Sequence, residues 1–203
     1  MVTLDDQVEV EDRFFLKPGD EQLLLKEASS VTQKTHTDSY YDTKDHSLTI
    51  GHHWLRTRDG RFELKVPYNG AFGRRITRFK ELEDEEKIRK HLKLPEEGSL
   101  KEALEQAGYS VFCTYGVDRK RFNIGDFIID LDRAIFDSFE YSIVEVELKV
   151  PKNKIKDAER RIAEFAVRFG LKGDVRGKLF EYLLREDPEH YFALLDAWGE
   201  KRL

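Results

Sequence analysis

Several stretches of the chain alternate between apolar and polar residues with a period of two, and the polar half of each alternation is ionic. Read as a strand, Val8-Glu9-Val10-Glu11-Asp12-Arg13-Phe14 sends Glu9, Glu11 and Arg13 to one face and Val8, Val10 and Phe14 to the other. Val144-Glu145-Val146-Glu147-Leu148-Lys149-Val150 repeats the arrangement near the other end of the chain. His53 to Arg58 and Arg61 to Val66 predict two strands joined across Asp59-Gly60, a dipeptide that favours a two-residue hairpin turn. On these arms Trp54, Arg56 and Arg58 share one face, Glu63 and Lys65 share another, and Phe62, Leu64 and Val66 oppose the latter.

The remaining pattern supplies further strands and flanking helices. Val31 to Asp42 is rich in Thr and Tyr and predicts a long strand, and Gly73 to Glu81 predicts another. Tyr109 to Asn123 and Phe127 to Asp132 predict a hairpin about Gly125, placing Arg119 with Arg121 and Asp130 with Asp132. Helical spacing predicts helices over Glu21 to Ala28, Asp84 to Leu94 and Ser99 to Gln106, the last with Ser99 as its cap and Gly108 as its stop. Pro151 is expected in the first turn of a helix whose apolar stripe, Ile155, Ala158, Ile162, Phe165, Ala166 and Phe169, closes at Gly170. Lys178 to Arg185 and Glu189 to Trp198 predict two terminal helices split at Pro188. About eight strands, ionic on one face and apolar on the other, point to a closed barrel. A barrel of that size has an interior just wide enough for side chains or one small ligand.

Composition sharpens this picture. Of 203 residues, 39% are hydrophobic and 37% charged, against about a quarter charged in an average domain. Part of the charge is therefore expected inside a single domain spanning residues 1–203. A net charge of -5 argues against a general nucleic-acid or anionic-membrane surface, while leaving room for a small polyanion in a locally basic cleft. Cys113 is the only cysteine, which excludes an internal disulfide and a thiolate metal site. The chain shows neither a membrane-spanning apolar run nor a signal-peptide pattern, so a cytosolic protein is expected.

The ionic faces define the candidate chemistry. Their acids are Glu9, Glu11, Glu63, Glu81, Asp130, Asp132, Glu145 and Glu147; their bases are Arg13, Arg56, Arg58, Lys65, Arg119, Arg121, Lys149 and Lys178. Any one pair reads more readily as a solvated strand face, where an ion pair is worth little. Repetition over several strands favours one interior, where each buried ion must be neutralised by its neighbours, by metal or by substrate. Carboxylate oxygens suit Mg²⁺ or Mn²⁺, and guanidinium forks suit phosphate. His52-His53 is not expected to form one metal site, because adjacent strand residues point to opposite faces. No glycine-rich phosphate loop and no nucleophile motif stands out. Trp54 reads either as packing or as an aromatic platform for a group attached to the phosphates.

Taken together, Glu9-x-Glu11-x-Arg13, Tyr40-Tyr41-Asp42-Thr43, Trp54-Leu55-Arg56-x-Arg58, Glu63-Leu64-Lys65 and Glu145-x-Glu147 resemble the CYTH superfamily of triphosphate tunnel metalloenzymes. His53-Trp54-Leu55-Arg56, Phe79-Lys80-Glu81-Leu82 and Lys178-Leu179-x-x-Tyr182-Leu183 extend the likeness to its thiamine-triphosphatase branch. The resemblance implies an α+β fold: a closed eight-stranded antiparallel β-barrel, the triphosphate tunnel, with flanking α-helices. It implies divalent-cation-dependent hydrolysis of a triphosphate, with Mg²⁺ or Mn²⁺ as cofactor, in a monomer without nucleic-acid or membrane partners. Glu9, Glu11, Glu81, Asp130, Asp132, Glu145 and Glu147 would be the metal-side acids, with either aspartate as the ligand. Arg13, Arg56, Arg58, Lys65, Arg121 and Lys178 would grip phosphate, with Arg56, Arg58 and Lys65 acting on the reaction itself. Trp54 would stack on the thiamine. Arg13 stands where the family usually has lysine. Inorganic tripolyphosphate hydrolysis, nucleotide cyclisation and non-catalytic polyphosphate binding remain alternatives.

Overall fold

In the computed structural model, which describes residues 7–68, 77–173 and 175–200, eight strands close on themselves in the order β1-β5-β4-β3-β2-β6-β7-β8. The strands are β1 (Gln7–Phe15), β2 (Ser29–Asp42), β3 (Trp54–Arg58), β4 (Arg61–Pro67), β5 (Thr77–Leu82), β6 (Ser110–Ile124), β7 (Phe127–Ile135) and β8 (Glu140–Pro151). The helices are α1 (Asp20–Leu25), α2 (Ser47–Ile50), α3 (Glu85–Leu92), α4 (Leu100–Gln106), α5 (Ile155–Phe169), α6 (Lys178–Glu186) and α7 (Pro188–Trp198). The architecture is the expected closed antiparallel barrel with flanking helices. Residues 73–76 of the strand expected from Gly73 lie outside the described residues.

The chain divides into two compact units, each drawn from three separated segments. The first comprises Met1–His36, Tyr68–Lys80 and Gly116–Lys178, and the second Thr37–Pro67, Glu81–Tyr115 and Leu179–Leu203.

In the first unit the apolar faces of β1 and β8 do what their alternation requires. Val8, Val10, Phe14, Val144, Val146 and Leu148 pack into one core with Ile155, Ala158, Ile162 and Phe165 of α5. Fully burying one such side chain contributes about 1.5–3 kcal/mol. The helix therefore covers the strands along the stripe legible in its sequence. Gly170, at φ 65°, ends α5 in the left-handed conformation that glycine adopts without a Cβ penalty. Pro151 differs from expectation. It closes β8 and precedes a 3₁₀ turn over Lys152–Lys154, so α5 starts only at Ile155.

In the second unit Leu55, Leu64, Leu82, Ile88, Leu100 and Leu104 form the core beneath α3 and α4. Asp59 and Gly60 both have positive φ, 49° and 81°, as the predicted two-residue turn demands. Ser99 and Glu102 form a reciprocal capping box at α4. His52 and His53 precede β3 rather than lying in it, with His52 at φ 56°. The alternation rule for strands does not apply to them for that reason.

Candidate functional site

The polar face of β1 follows from pairing with β8. The register sets Glu9 opposite Lys149, Glu11 opposite Glu147 and Arg13 opposite Glu145. Glu9, Glu11 and Glu147 are buried at 6%, 5% and 8% exposure. Two like charges directly opposite on adjacent strands repel, and burial sharpens the repulsion. Lys149 Nζ offsets part of it, at 3.5 Å from Glu147 and 3.9 Å from Glu9, and Arg13 contacts Glu11. The backbone approaches Arg13 closely at Gly177, where a Cβ would lie 3.5 Å from its Nε.

β7, the part of β6 from Gly116 onward and Lys178 build a second part of this unit. Register places Arg119 opposite Asp132 and Arg121 opposite Asp130. Arg119 donates from Nε and Nη2 to Asp132 at 2.7 and 2.5 Å, lies 2.6 Å from Asp130, and donates to Glu145 at 3.2 Å. Arg121 forks onto Asp130 with both bonds at 2.6 Å. Lys178, the first residue of α6, donates to Asp132 at 2.6 Å and to Glu145 at 2.7 Å. Burial alone would raise the carboxyls of Asp132 and Glu145. Lys178 and Arg119 outweigh it and hold both below their usual range. Burial likewise works against the charge of Lys178, but Asp132 and Glu145 push its pKa up.

The arginines of β3 belong to the second unit. Arg56, opposite Glu63 and Tyr40, donates from Nε to Glu63 at 2.8 Å and from Nη1 to the Tyr40 hydroxyl at 3.3 Å. Its guanidinium lies 3.6 Å from Asp38 and 3.8 Å from Glu81. Arg58 forks onto Asp38 at 2.8 and 2.9 Å. Burial opposes the charge on Arg56, while Tyr40, Asp38, Glu63 and Glu81 keep it protonated. Lys65 is half-buried and opposes Trp54 across the β3–β4 ladder. Trp54 meets Phe180 edge-on at 5.4 Å and Trp198 at 6.5 Å.

The expected site residues divide between the two units. Glu9, Glu11, Arg13, Arg121, Asp130, Asp132, Glu145, Glu147 and Lys178 are in the first unit. Trp54, Arg56, Arg58, Lys65 and Glu81 are in the second. Glu81, expected among the metal-side acids, is an arginine neighbour here. The aspartates expected there are likewise engaged by guanidinium forks. Sequence reasoning missed Asp38, whose side chain is fully buried and orients Arg58. It also missed Phe180 and Trp198 as neighbours of Trp54. The register opposite Arg58 is the signal that exposes Asp38.

The carboxylates of β1 and β8 fit a hard divalent cation by their donor chemistry and by the opposed Glu11 and Glu147. Among the described residues, no group of three or more His, Cys, Asp or Glu side chains is arranged to enclose an ion.

A closed antiparallel barrel whose strands carry paired acids and forked arginines defines a class, and comparison identifies it. The CYTH domain family matches residues 7–174, and the chain belongs to that family. It is 28% identical to the thiamine-triphosphatase of Macaca fascicularis, over 96% of this chain and 92% of that protein. To the thiamine-triphosphatase of Homo sapiens it is 29% identical, over 94% and 90%. A solved protein from Pyrococcus horikoshii shares the fold with a TM-score of 0.63 at 18% identity, covering 88% of this chain and 99% of that one. Among the described residues, no helix is long and apolar enough to cross a membrane.

Proposed function

We propose that the protein hydrolyses thiamine triphosphate to thiamine diphosphate and phosphate, with Mg²⁺ as cofactor and Mn²⁺ as a substitute. The observation that carries the reading is the buried, directly opposed pair Glu11 and Glu147 within a CYTH barrel. The two thiamine-triphosphatase relatives, matched over nearly the whole chain, support the choice of substrate.

In this reading Glu9, Glu11 and Glu147 hold the cation, with Glu145 beside them. A bound Mg²⁺ supplies charge neutralisation of the phosphate oxygens. Asp130 and Asp132 serve first as counter-ions that keep Arg119, Arg121 and Lys178 in place, since a metal reaching them must displace a guanidinium or the Lys178 ammonium. Arg13, Arg121 and Lys178 bind phosphate. Arg56, Arg58 and Lys65 match the charge that develops as water attacks the terminal phosphoryl group in line. Pre-aimed forks suit this role because they need no reorganisation during the reaction. Trp54, walled by Phe180 and Trp198, receives the thiamine. The protein acts as a monomer in the cytosol.

The test is phosphate release from thiamine triphosphate, inorganic tripolyphosphate and ATP, each with Mg²⁺ and with a chelator. Release from thiamine triphosphate that the chelator stops is expected. Preference for tripolyphosphate transfers the assignment to an inorganic tripolyphosphatase. Cyclic nucleotide from ATP would make the protein a cyclase, and stabilisation by polyphosphate without release would make it a binding module.

A further inference from the structure

His53 and His91 lie outside both ionic clusters, yet their rings are placed as metal ligands require. His53 Nδ1 is 2.7 Å from the Gly51 carbonyl oxygen. A carbonyl only accepts, so Nδ1 carries the hydrogen and Nε2 presents a bare lone pair. That Nε2 is 3.0 Å from His91 Nε2. Two imidazole nitrogens bound at about 2.0–2.1 Å to one ion, with a right angle between them, would lie about 3 Å apart. We propose that His53 and His91 form a two-imidazole site for a borderline divalent transition metal, Cu²⁺, Ni²⁺ or Zn²⁺, chemically distinct from the carboxylates of β1 and β8.

The surroundings support this. Metal-binding histidines usually donate their second N–H to a carbonyl or carboxylate, which fixes tautomer and ring direction, and Gly51 does this for His53. The backbone of His53 is tied down by donation from its N–H to Leu48 at 2.8 Å. His91 is in the last turn of α3, a helix capped by Asp84 and anchored by the fully buried Ile88. Both rings therefore project from fixed positions. Without metal, His91 donates its Nε2 hydrogen to His53. Binding moves that hydrogen to Nδ1 of His91, a tautomer change that releases no net proton. His91 is exposed, and water completes the coordination.

Binding of CuCl₂ and ZnCl₂ to the full chain, followed by calorimetry and by quenching of Trp54 next to His53, tests the proposal. One saturable site is expected, undisturbed by millimolar Mg²⁺. His53→Ala and His91→Ala should each weaken binding by about tenfold or more. His91 is exposed, so His91→Ala decides the matter if His53→Ala fails to fold. No saturable binding by the wild type, or equal binding by His91→Ala, would overturn the site. The readout is independent of triphosphate turnover, so it stands or fails apart from the hydrolase assignment.

Discussion

Glu11 and Glu147 face each other across the β1–β8 ladder, both buried, with a lysine and an arginine as neighbours rather than direct cross-strand partners. Such repulsion costs stability, and a bound cation would relieve it. Glu11→Gln removes half of the repulsion and one hard ligand. It should cut Mg²⁺-dependent phosphate release by about a hundredfold or more, equivalent to about 2.7 kcal/mol. The melting temperature should be unchanged or higher. Wild-type turnover in this variant would remove Glu11 from the metal set.

Trp54→Ala separates the two substrates. Loss of an aromatic platform worth about 1 kcal/mol should raise KM for thiamine triphosphate several-fold while leaving inorganic tripolyphosphate unaffected. Equal effects on both substrates would assign Trp54 to packing against Phe180 and Trp198.

Asp132→Asn tests the buried basic cluster. Asp132 is 1% exposed and neutralises both Arg119 and Lys178. Its loss leaves two buried cations one counter-ion short in a dry setting, which costs up to roughly 3–5 kcal/mol. Urea unfolding at neutral pH should show a drop of that order. Asp157→Asn, at a part-exposed position paired with the exposed Arg160, should change stability little.

Stability should fall on mild acidification because of His190. Its Nε2 donates to Thr49 Oγ1 at 2.8 Å, since the Thr49 hydroxyl donates to Asp42 at 2.6 Å. Burial lowers the His190 pKa from 6.5 to about 4. Between those values the unfolded chain holds a proton that the folded protein does not, so stability decreases as pH falls through this window. One such proton gives a slope of about 1.4 kcal/mol per pH unit. Unfolding measured from pH 7 to 4 should show at least that slope, because burial lowers His52 to about 4 as well, and His190→Gln should reduce it by about one proton's share.

The strands that carry the site were legible because their two faces differ so sharply. β1, β8 and the β3–β4 hairpin each announced an ionic and an apolar side, and both sides are used. Capping at Ser99 and the stops at Gly108 and Gly170 depend on neighbours a few residues away, which makes them local and readable. Pairings over long separations were less so. The first seven residues of β2 are exposed and show no alternation, which hid the face on which Asp38 sits. Asp38 gains its role only from register with Arg58, twenty positions later. The family motif groups Glu81 with the metal-side acids, but its proximity to Arg56 depends on barrel order that no single stretch encodes.

Lys178 extends the charged cluster past the segment that similarity to the family delimits. The family match stops at residue 174, yet the ammonium that neutralises Asp132 and Glu145 enters four residues later, at the start of α6. A chain trimmed to the matched segment would keep both carboxylates and lose one of the cations that hold them ionised. Both carboxyls would then rise toward their usual range, with Arg119 left to oppose burial. Charge balance around these two acids therefore reaches beyond the matched segment, to the first residue of α6.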